Sequence, residues 1–129
     1  MELKLQECNE NYWSDILDIR NNDNAGFVNQ TNISTEFHIQ YMKDNFQNYR
    51  ICILNNEFVG FIGAVNDDIR LGVKKEFKRK GIGKFMINEF NKIFEIKCAK
   101  VKIENTASQK LFESCGFKKT FYILTRNET

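Results

Sequence analysis

The sequence predicts a single mixed α/β domain with helices on both faces of a mixed sheet, and three observations carry that expectation. Tyr49 to Val73 is a near-continuous apolar stretch broken by Asn55-Asn56 and Asn66-Asp67, the pattern of a three-strand antiparallel meander with tight turns. A strongly amphipathic stretch follows, with Ile82, Phe85, Met86, Phe90, Ile93 and Phe94 on one stripe of helical period. The run Cys98-Ala-Lys-Val-Lys-Ile103 then reads as a strand. Strand 69–73, helix 82–94 and strand 98–103 thus form a β-α-β crossover, whose right-handedness makes the two strands parallel.

The remaining elements follow in order. Leu3 and Leu5 alternate with Lys4 and Gln6, so residues 2–7 read as a short strand. Trp13, Ile16 and Leu17 fall at helical spacing within 12–22, and 23–33 reads as a loop. Ser34-Thr35-Glu36 opens a second helix with Ile39, Met42 and Phe46 on one face. Strands at 49–54, 58–65 and 69–73 make the meander. After the helix at 82–94 and the strand at 98–103 come a helix at 106–115 and a final strand at 117–125. The order is β-α-α-β-β-β-α-β-α-β.

A chain of 129 residues fits one domain, 1–129. The balance of 19 basic against 17 acidic side chains is too mild to imply nucleic acid by itself. No apolar run approaches a membrane span, and Met1-Glu2-Leu3-Lys4 lacks a signal-peptide core, so a soluble cytoplasmic protein is expected. Cys8, Cys52, Cys98 and Cys115 are far apart, and His38 is the one histidine. That spacing excludes zinc fingers and C-x-x-C redox motifs. The cysteines are expected as small core residues of a reducing compartment. Asn29-Gln30-Thr31 and Asn32-Ile33-Ser34 match glycosylation acceptors only as an Asn-rich chain does by chance.

The segment richest in chemistry is Lys78-Arg79-Lys80-Gly81-Ile82-Gly83-Lys84, between a strand and an amphipathic helix. Glycines there let backbone N–H groups approach a ligand, and a helix N-terminus adds unpaired donors and a positive dipole end. The combination is an anion site of the kind phosphates occupy. A Walker loop would need Ser or Thr where Phe85 stands, and a dinucleotide fingerprint a third glycine where Met86 stands. Further on, Asn105 and Thr106 suit a helix start, Ala107, Leu111, Phe112 and Cys115 an apolar face, and Gly116 a helix stop.

Taken together, the two segments resemble the GNAT family of acyl-CoA-dependent N-acyltransferases. The family's loop runs Gln/Arg-x-x-Gly-x-Gly/Ala at the start of the central helix; Lys78 to Gly83 matches it with Lys in the first place. Its Asn-x-x-Ser/Ala-x-x-Leu-Tyr/Phe-x-x-x-Gly-Phe signature matches Asn105, Ser108, Leu111, Phe112, Gly116 and Phe117. The resemblance implies a splayed parallel strand pair at the centre of the sheet, acetyl-CoA as cosubstrate and no metal. It implies that pyrophosphate sits on the backbone of Arg79 to Lys84, with Lys74, Lys75, Lys78, Arg79, Lys80 and Lys84 around it. Pantetheine would pair with Leu71, Gly72 and Val73, and the N–H near Val73 would hold the thioester carbonyl. Asn105, Ser108, Leu111 and Phe112 would line the other side of the cofactor.

The implied reaction is direct attack of a neutral amine on acetyl-CoA. An alkylammonium has a pKa near 10 (about that of lysine), so a base or desolvation must remove its proton. Asp67, Asp68 and Glu104, at strand ends flanking the cleft, are the candidates for that base. The family's usual acid, a tyrosine, is replaced by Phe112, which cannot donate; Tyr122, water or solvent stands in for it, with Ser114 and Cys115 as weaker candidates. The family usually has two strands after the last helix, whereas 117–125 supplies one, so the acceptor pocket is either open or completed by a second subunit. Monomer and homodimer both remain open.

The acceptor side must come from residues 12–46. Ile19-Arg20-Asn21-Asn22 resembles a stretch in family members that act on nucleotide-linked amino sugars or ribosomal-protein N-termini, and Arg20 also suits a helix C-terminus electrostatically. His38 is expected in packing or at the surface. Tyr12, Trp13, Phe27 and Tyr41 are core residues by default. The expected function is N-acetylation of a primary amine, such as a nucleotide-linked amino sugar or other small amine. The alternatives are a protein N-terminus or lysine as acceptor, and a non-catalytic acyl-CoA-binding domain. A nucleic-acid module built on 74–84 would need an exposed aromatic face, whereas the phenylalanines fall at core spacing; no membrane partner is expected.

Overall fold

A computed structural model describes residues 2–22 and 32–126 of the chain. Most of the loop expected at 23–33 lies outside the described residues, as do Phe27 and the tripeptide Asn29-Gln30-Thr31. Four strands, β1 (Leu3–Glu7), β2 (Tyr49–Leu54), β3 (Glu57–Val65) and β4 (Asp68–Val73), lie side by side in that order, each antiparallel to the next. The meander turns at the expected pairs. Asn55 and Asn56 have φ of 50° and 72°, and Asn66 and Asp67 have 53° and 62°. Positive φ at both central residues defines the hairpin turn that matches strand twist, and Asn and Asp tolerate it best among residues with a side chain.

Alternation along β2 divides the core. Tyr49, Ile51 and Ile53 face helices α1 (Trp13–Asn22) and α2 (Thr35–Asn45), packing with Ile16, Ile19, Met42 and Phe61. Cys52 and Leu54 face α3 (Ile82–Ile93) and α4 (Thr106–Ser114), packing with Ile62, Met86, Ile87, Phe90 and Phe112. With both faces covered, β3 is buried from Phe58 to Ala64. The register slips at Cys52/Ile53, leaving Val59 as an extra residue between Phe58 and Gly60. Such a bulge bends and twists a strand locally. Here it lies beside Val73, the partner of Gly60.

Several expectations are corrected. Segment 98–103 is not a strand: it meets β4 in one parallel bridge, Asp68↔Cys98, so the described sheet is antiparallel apart from that bridge. Segment 117–125 forms no strand and is exposed from Lys118 onward. Both read as strands because side-chain type says what suits a pleated surface, not whether a partner edge is present. In α3 the buried stripe is Ile82, Met86, Ile87 and Phe90, while Ile93 is exposed at the end of the helix. In α2 it passes through His38 and Met42, leaving Ile39 exposed. Cys8 and Cys52 are core residues, and burial pushes each thiol up to about 11, whereas Cys98 is exposed and Cys115 half-buried.

Candidate active site: an open strand edge beside an uncapped helix

Two hydrogen bonds orient the backbone of β4. Lys74 N–H donates to Val59 O at 2.8 Å, toward β3, and Ile69 N–H donates to Cys98 O at 3.1 Å, away from it. Backbone groups alternate in direction along a strand. The N–H and C=O of Leu71 and Val73 therefore share the outward direction of Ile69. Segment 98–103 meets β4 through its backbone only at Asp68 and Ile69, so beyond them these groups have no sheet partner among the described residues. The parallel pair thus opens right after its first contact. Gly60 supports this geometry from behind: a Cβ there would lie 2.7 Å from Gly72 O, so a side chain would push β4 outward.

The gap stays open because side chains, not sheet pairing, hold its far wall. Asp68 Oδ1 accepts Lys100 N–H at 2.9 Å across 32 residues of sequence. At the other end Gln109 Nε2 donates to Ile103 O at 2.7 Å. Asn105 caps α4 by accepting Ser108 N–H at 3.1 Å. Gln109 and Gly60 are missed by motif reading, since each acts on a partner distant in sequence and neither carries a local signature.

Gly81 begins α3 in the left-handed conformation, φ 80°, and no side chain caps that end. The first-turn N–H groups of Ile82, Gly83 and Lys84 have no intrahelical acceptor. Among the described residues nothing stands within 4 Å of where a Gly81 Cβ would be. Arg79 is also left-handed, φ 65°. Lys75, Lys78, Arg79, Lys80 and Lys84 are all exposed around the turn. Gly83 also serves packing. A Cβ there would lie 2.9 Å from Leu111 Cδ2 and 3.7 Å from Leu71 Cδ1, so this glycine lets α3, α4 and β4 close on one another.

These features fit coenzyme A. An extended amide chain can pair with the outward groups of Leu71 and Val73, and its diphosphate can reach the helix end, where N–H groups, dipole and lysines converge. Phe112, in the place of the family's usual acid, is buried and packs edge-on against Phe117 at 5.2 Å between ring centroids. Three of the residues considered for proton transfer have separate settings. Asp68 is buried, with Oδ1 engaged by Lys100 and Oδ2 4.0 Å from Arg70 Nε. Glu104 is exposed just before α4. Tyr122 is 80% exposed on the terminal segment.

On the opposite face of the sheet, a cleft of about 580 Å³ reaches Val73 between α1 and the turn after β4. Asp15, Asp18, Ile19 and Asn22 line one side of it, and Lys74, Lys75, Glu76 and Lys78 the other. Behind it α1 and α2 are joined by a polar cluster. Arg20 donates to His38 Nδ1 at 3.4 Å, and the His38 Nε2–H then donates to Trp13 O at 2.7 Å. The Arg20 guanidinium also lies 5.0 Å from the Tyr41 ring centroid, and the Tyr41 and Tyr49 hydroxyls are 2.7 Å apart. Burial lowers the pKa of both His38 and Arg20 and raises that of Tyr49. His38 is therefore a neutral core residue.

An antiparallel meander, a strand edge that opens after one parallel bridge and a glycine-started helix beside it give the mixed α/β arrangement that the resemblance to acyl-CoA-dependent transferases implies. Residues 46–119, more than half of the chain, match the acetyltransferase (GNAT) domain family. The chain belongs to that family: it is an N-acetyltransferase domain, with acetyl-CoA as acyl donor. No protein of curated function matches it in sequence. Solved structures with a similar fold include the ribosomal-protein-alanine N-acetyltransferase from Brucella melitensis, at TM-score 0.79 and 16% identity over 92% of this chain and 86% of that one. Also similar is the putative acetyltransferase yncA from Salmonella typhimurium, solved with acetyl-CoA, at 0.76 and 15% over 92% and 81%. The aminoglycoside acetyltransferase AAC(6')-Iy, bound to a bisubstrate analogue, matches at 0.72 and 16% over 100% and 99%. Among the described residues no helix is long and apolar enough to cross a membrane.

Proposed function

We propose that the acceptor is a small primary amine that also carries an anionic group, a nucleotide-linked amino sugar being one such compound. The observation that carries this reading is the cleft at Val73, with Asp15 and Asp18 on one wall and, on the other, Lys74, Lys75 and Lys78 outnumbering Glu76. Its size suits a small molecule. Asp15 and Asp18 would draw an ammonium, and Lys74, Lys75 and Lys78 a phosphate or carboxylate on the same molecule.

Acetyl-CoA supplies an acyl group already activated as a thioester. The chain's part is to bind, orient and handle protons. Outward groups of Leu71 and Val73 hold the extended arm, with Gly72 between them leaving room for Ile19 and Phe61, which a Cβ there would meet at 2.6 and 2.8 Å. The first-turn N–H groups of Ile82, Gly83 and Lys84, with Lys78, Arg79, Lys80 and Gly81 before them, hold the diphosphate. Asn105, Ser108, Leu111 and Phe112 form the opposite wall. The Val73 N–H polarises the carbonyl that the amine attacks. Asp68 acts by position, since its oxygens hold Lys100 N–H and face Arg70. Glu104, being exposed, receives the ammonium proton through water. Because Tyr122 is exposed on the terminal segment, the leaving thiolate takes its proton from solvent.

The test is free-thiol release from acetyl-CoA over a panel of nucleotide-linked amino sugars, polyamines, amino acids and peptides. A phosphate-bearing amine should be turned over best. Asp18→Asn should raise its KM about tenfold while changing kcat little, the pattern of lost uniform binding. A panel in which only peptides react, with Asp18→Asn silent, would defeat the small-amine reading.

A further inference from the structure

Four polar side chains that the proposed reaction does not use meet on the α1/α2 face of the sheet. Tyr49, Gly63 and Arg70 stand in one row across β2, β3 and β4, so Tyr49 and Arg70 share that face. Gly63 leaves the row open: a Cβ there would run into the Tyr49 ring, which lies across β3. The Tyr49 hydroxyl is 2.7 Å from that of Tyr41, and the Arg20 guanidinium lies over the Tyr41 ring. Burial lowers the Arg20 pKa, and the charge of Arg70 is near enough to lower it further. The cluster holds more donors than acceptors. One tyrosine hydroxyl donates to the other, which leaves one hydroxyl hydrogen without an acceptor among the described residues. Arg70 can only donate. Asp68 Oδ2, 4.0 Å from Arg70 Nε, is beyond hydrogen-bond length, and Oδ1 already accepts Lys100 N–H. Tyr49 and Arg20 are buried, whereas the Arg70 side chain is 36% exposed, so the cluster opens to solvent at Arg70, beside the open edge of β4. We propose that Arg70, backed by the Tyr41–Tyr49 hydroxyl pair, is the specificity residue that grips the acceptor's anionic group, an oxyanion carried by a carboxylate or a phosphate.

Placement and charge type favour this role. Arg70 and Val73 are three residues apart on one strand, about 10 Å, the reach of a small molecule whose amine and oxyanion are several bonds apart. Ile19 packs over Gly72 between them, so the middle of that molecule crosses an apolar side chain. A guanidinium presents a planar fork that matches two oxygens at once, whereas Lys74, Lys75 and Lys78 are point charges on long stems. The lysines attract the anionic group across the cleft, and Arg70 fixes where it rests. The inference rests on the small-amine reading above, whose acceptor carries such a group.

Two matched pairs of acceptors test it: an amino acid with its decarboxylated amine, and an amino-sugar phosphate with the free amino sugar. The wild-type enzyme should favour the anion-bearing member of a pair by about tenfold or more in kcat/KM, and the pair that responds identifies the oxyanion as carboxylate or phosphate. Arg70→Gln should remove most of that preference by raising KM for the anion-bearing member. Arg70→Glu should reverse it, toward the member without the anion. A preference unchanged in both variants would overturn the inference, as would equal losses on both members, the mark of a merely structural arginine. If Asp18→Asn still raises KM in that case, the small-amine reading stands without it. A wild-type enzyme indifferent within both pairs, or active on peptides alone, would overturn both.

Discussion

His38 is 1% exposed, and its neutral form satisfies both ring nitrogens, one accepting from Arg20 and the other donating to Trp13 O. A second proton would place N–H against the guanidinium, so burial and then Arg20 oppose it and the pKa falls below the ordinary 6.5. Just below pH 6.5 the unfolded chain consequently binds more protons than the folded one, and folding is weakened by acid. Thermal midpoints should hold above about pH 6.5 and decline as pH drops below it, a decline that His38→Gln should flatten at some cost at neutral pH. A wild-type profile parallel to that of His38→Gln would show that another group sets the acid limit. Phe112 poses a second residue-scale question. Its ring is buried against Phe117 and the α3 side of the core, so a hydroxyl added there needs a partner. Phe112→Tyr should lose about 1–3 kcal/mol in denaturant titration and change kcat less than about tenfold; a larger gain in rate would mean that the enzyme lacks an acid.

At the scale of elements, β4 combines one paired edge with one open edge, and backbone direction makes the two separable. The Val73 N–H points out of the sheet, so Val73→Pro removes a donor from the gap without removing a β3 ladder bond, as proline at a strand edge allows. The expected result is a fall in kcat of about 10²–10³-fold with the far-ultraviolet spectrum retained; an unchanged kcat would remove Val73 from the reaction. How far such elements could be read in advance depends on what defines them. The meander was legible because Asn55-Asn56 and Asn66-Asp67 state their own turn chemistry. So was α3, through its periodic stripe, and its start, because Gly81 and Gly83 follow a basic run. Segments 98–103 and 117–125 were not, since a strand exists only when an edge is paired. The bulge at Val59 and the Asp68–Lys100 tie were invisible for a related reason: each depends on register between residues far apart in sequence.

In the proposed reading, the whole molecule divides the donor's recognition between two surfaces of different physics, a backbone edge at Leu71–Val73 and a positive helix end at Gly81–Lys84. Bound to the folded state alone, acetyl-CoA at a hundredfold excess over its Kd adds about 2.7 kcal/mol. At roughly 3–6 °C per kcal/mol for a domain of this size, the thermal midpoint should rise by about 8–16 °C. Lys78, Arg79, Lys80 and Lys84 are exposed, so their share is screened by salt. Raising ionic strength should then shrink the acetyl-CoA shift. Acetyl-pantetheine, which lacks the phosphates, should give a smaller shift that salt leaves alone, because strand pairing and apolar contact carry it. Differential scanning calorimetry of both ligands across a salt series separates the two surfaces. No shift with acetyl-pantetheine at any salt would mean that the strand edge contributes nothing, and that the opening between β4 and residues 98–103 is not where the thioester arm lies.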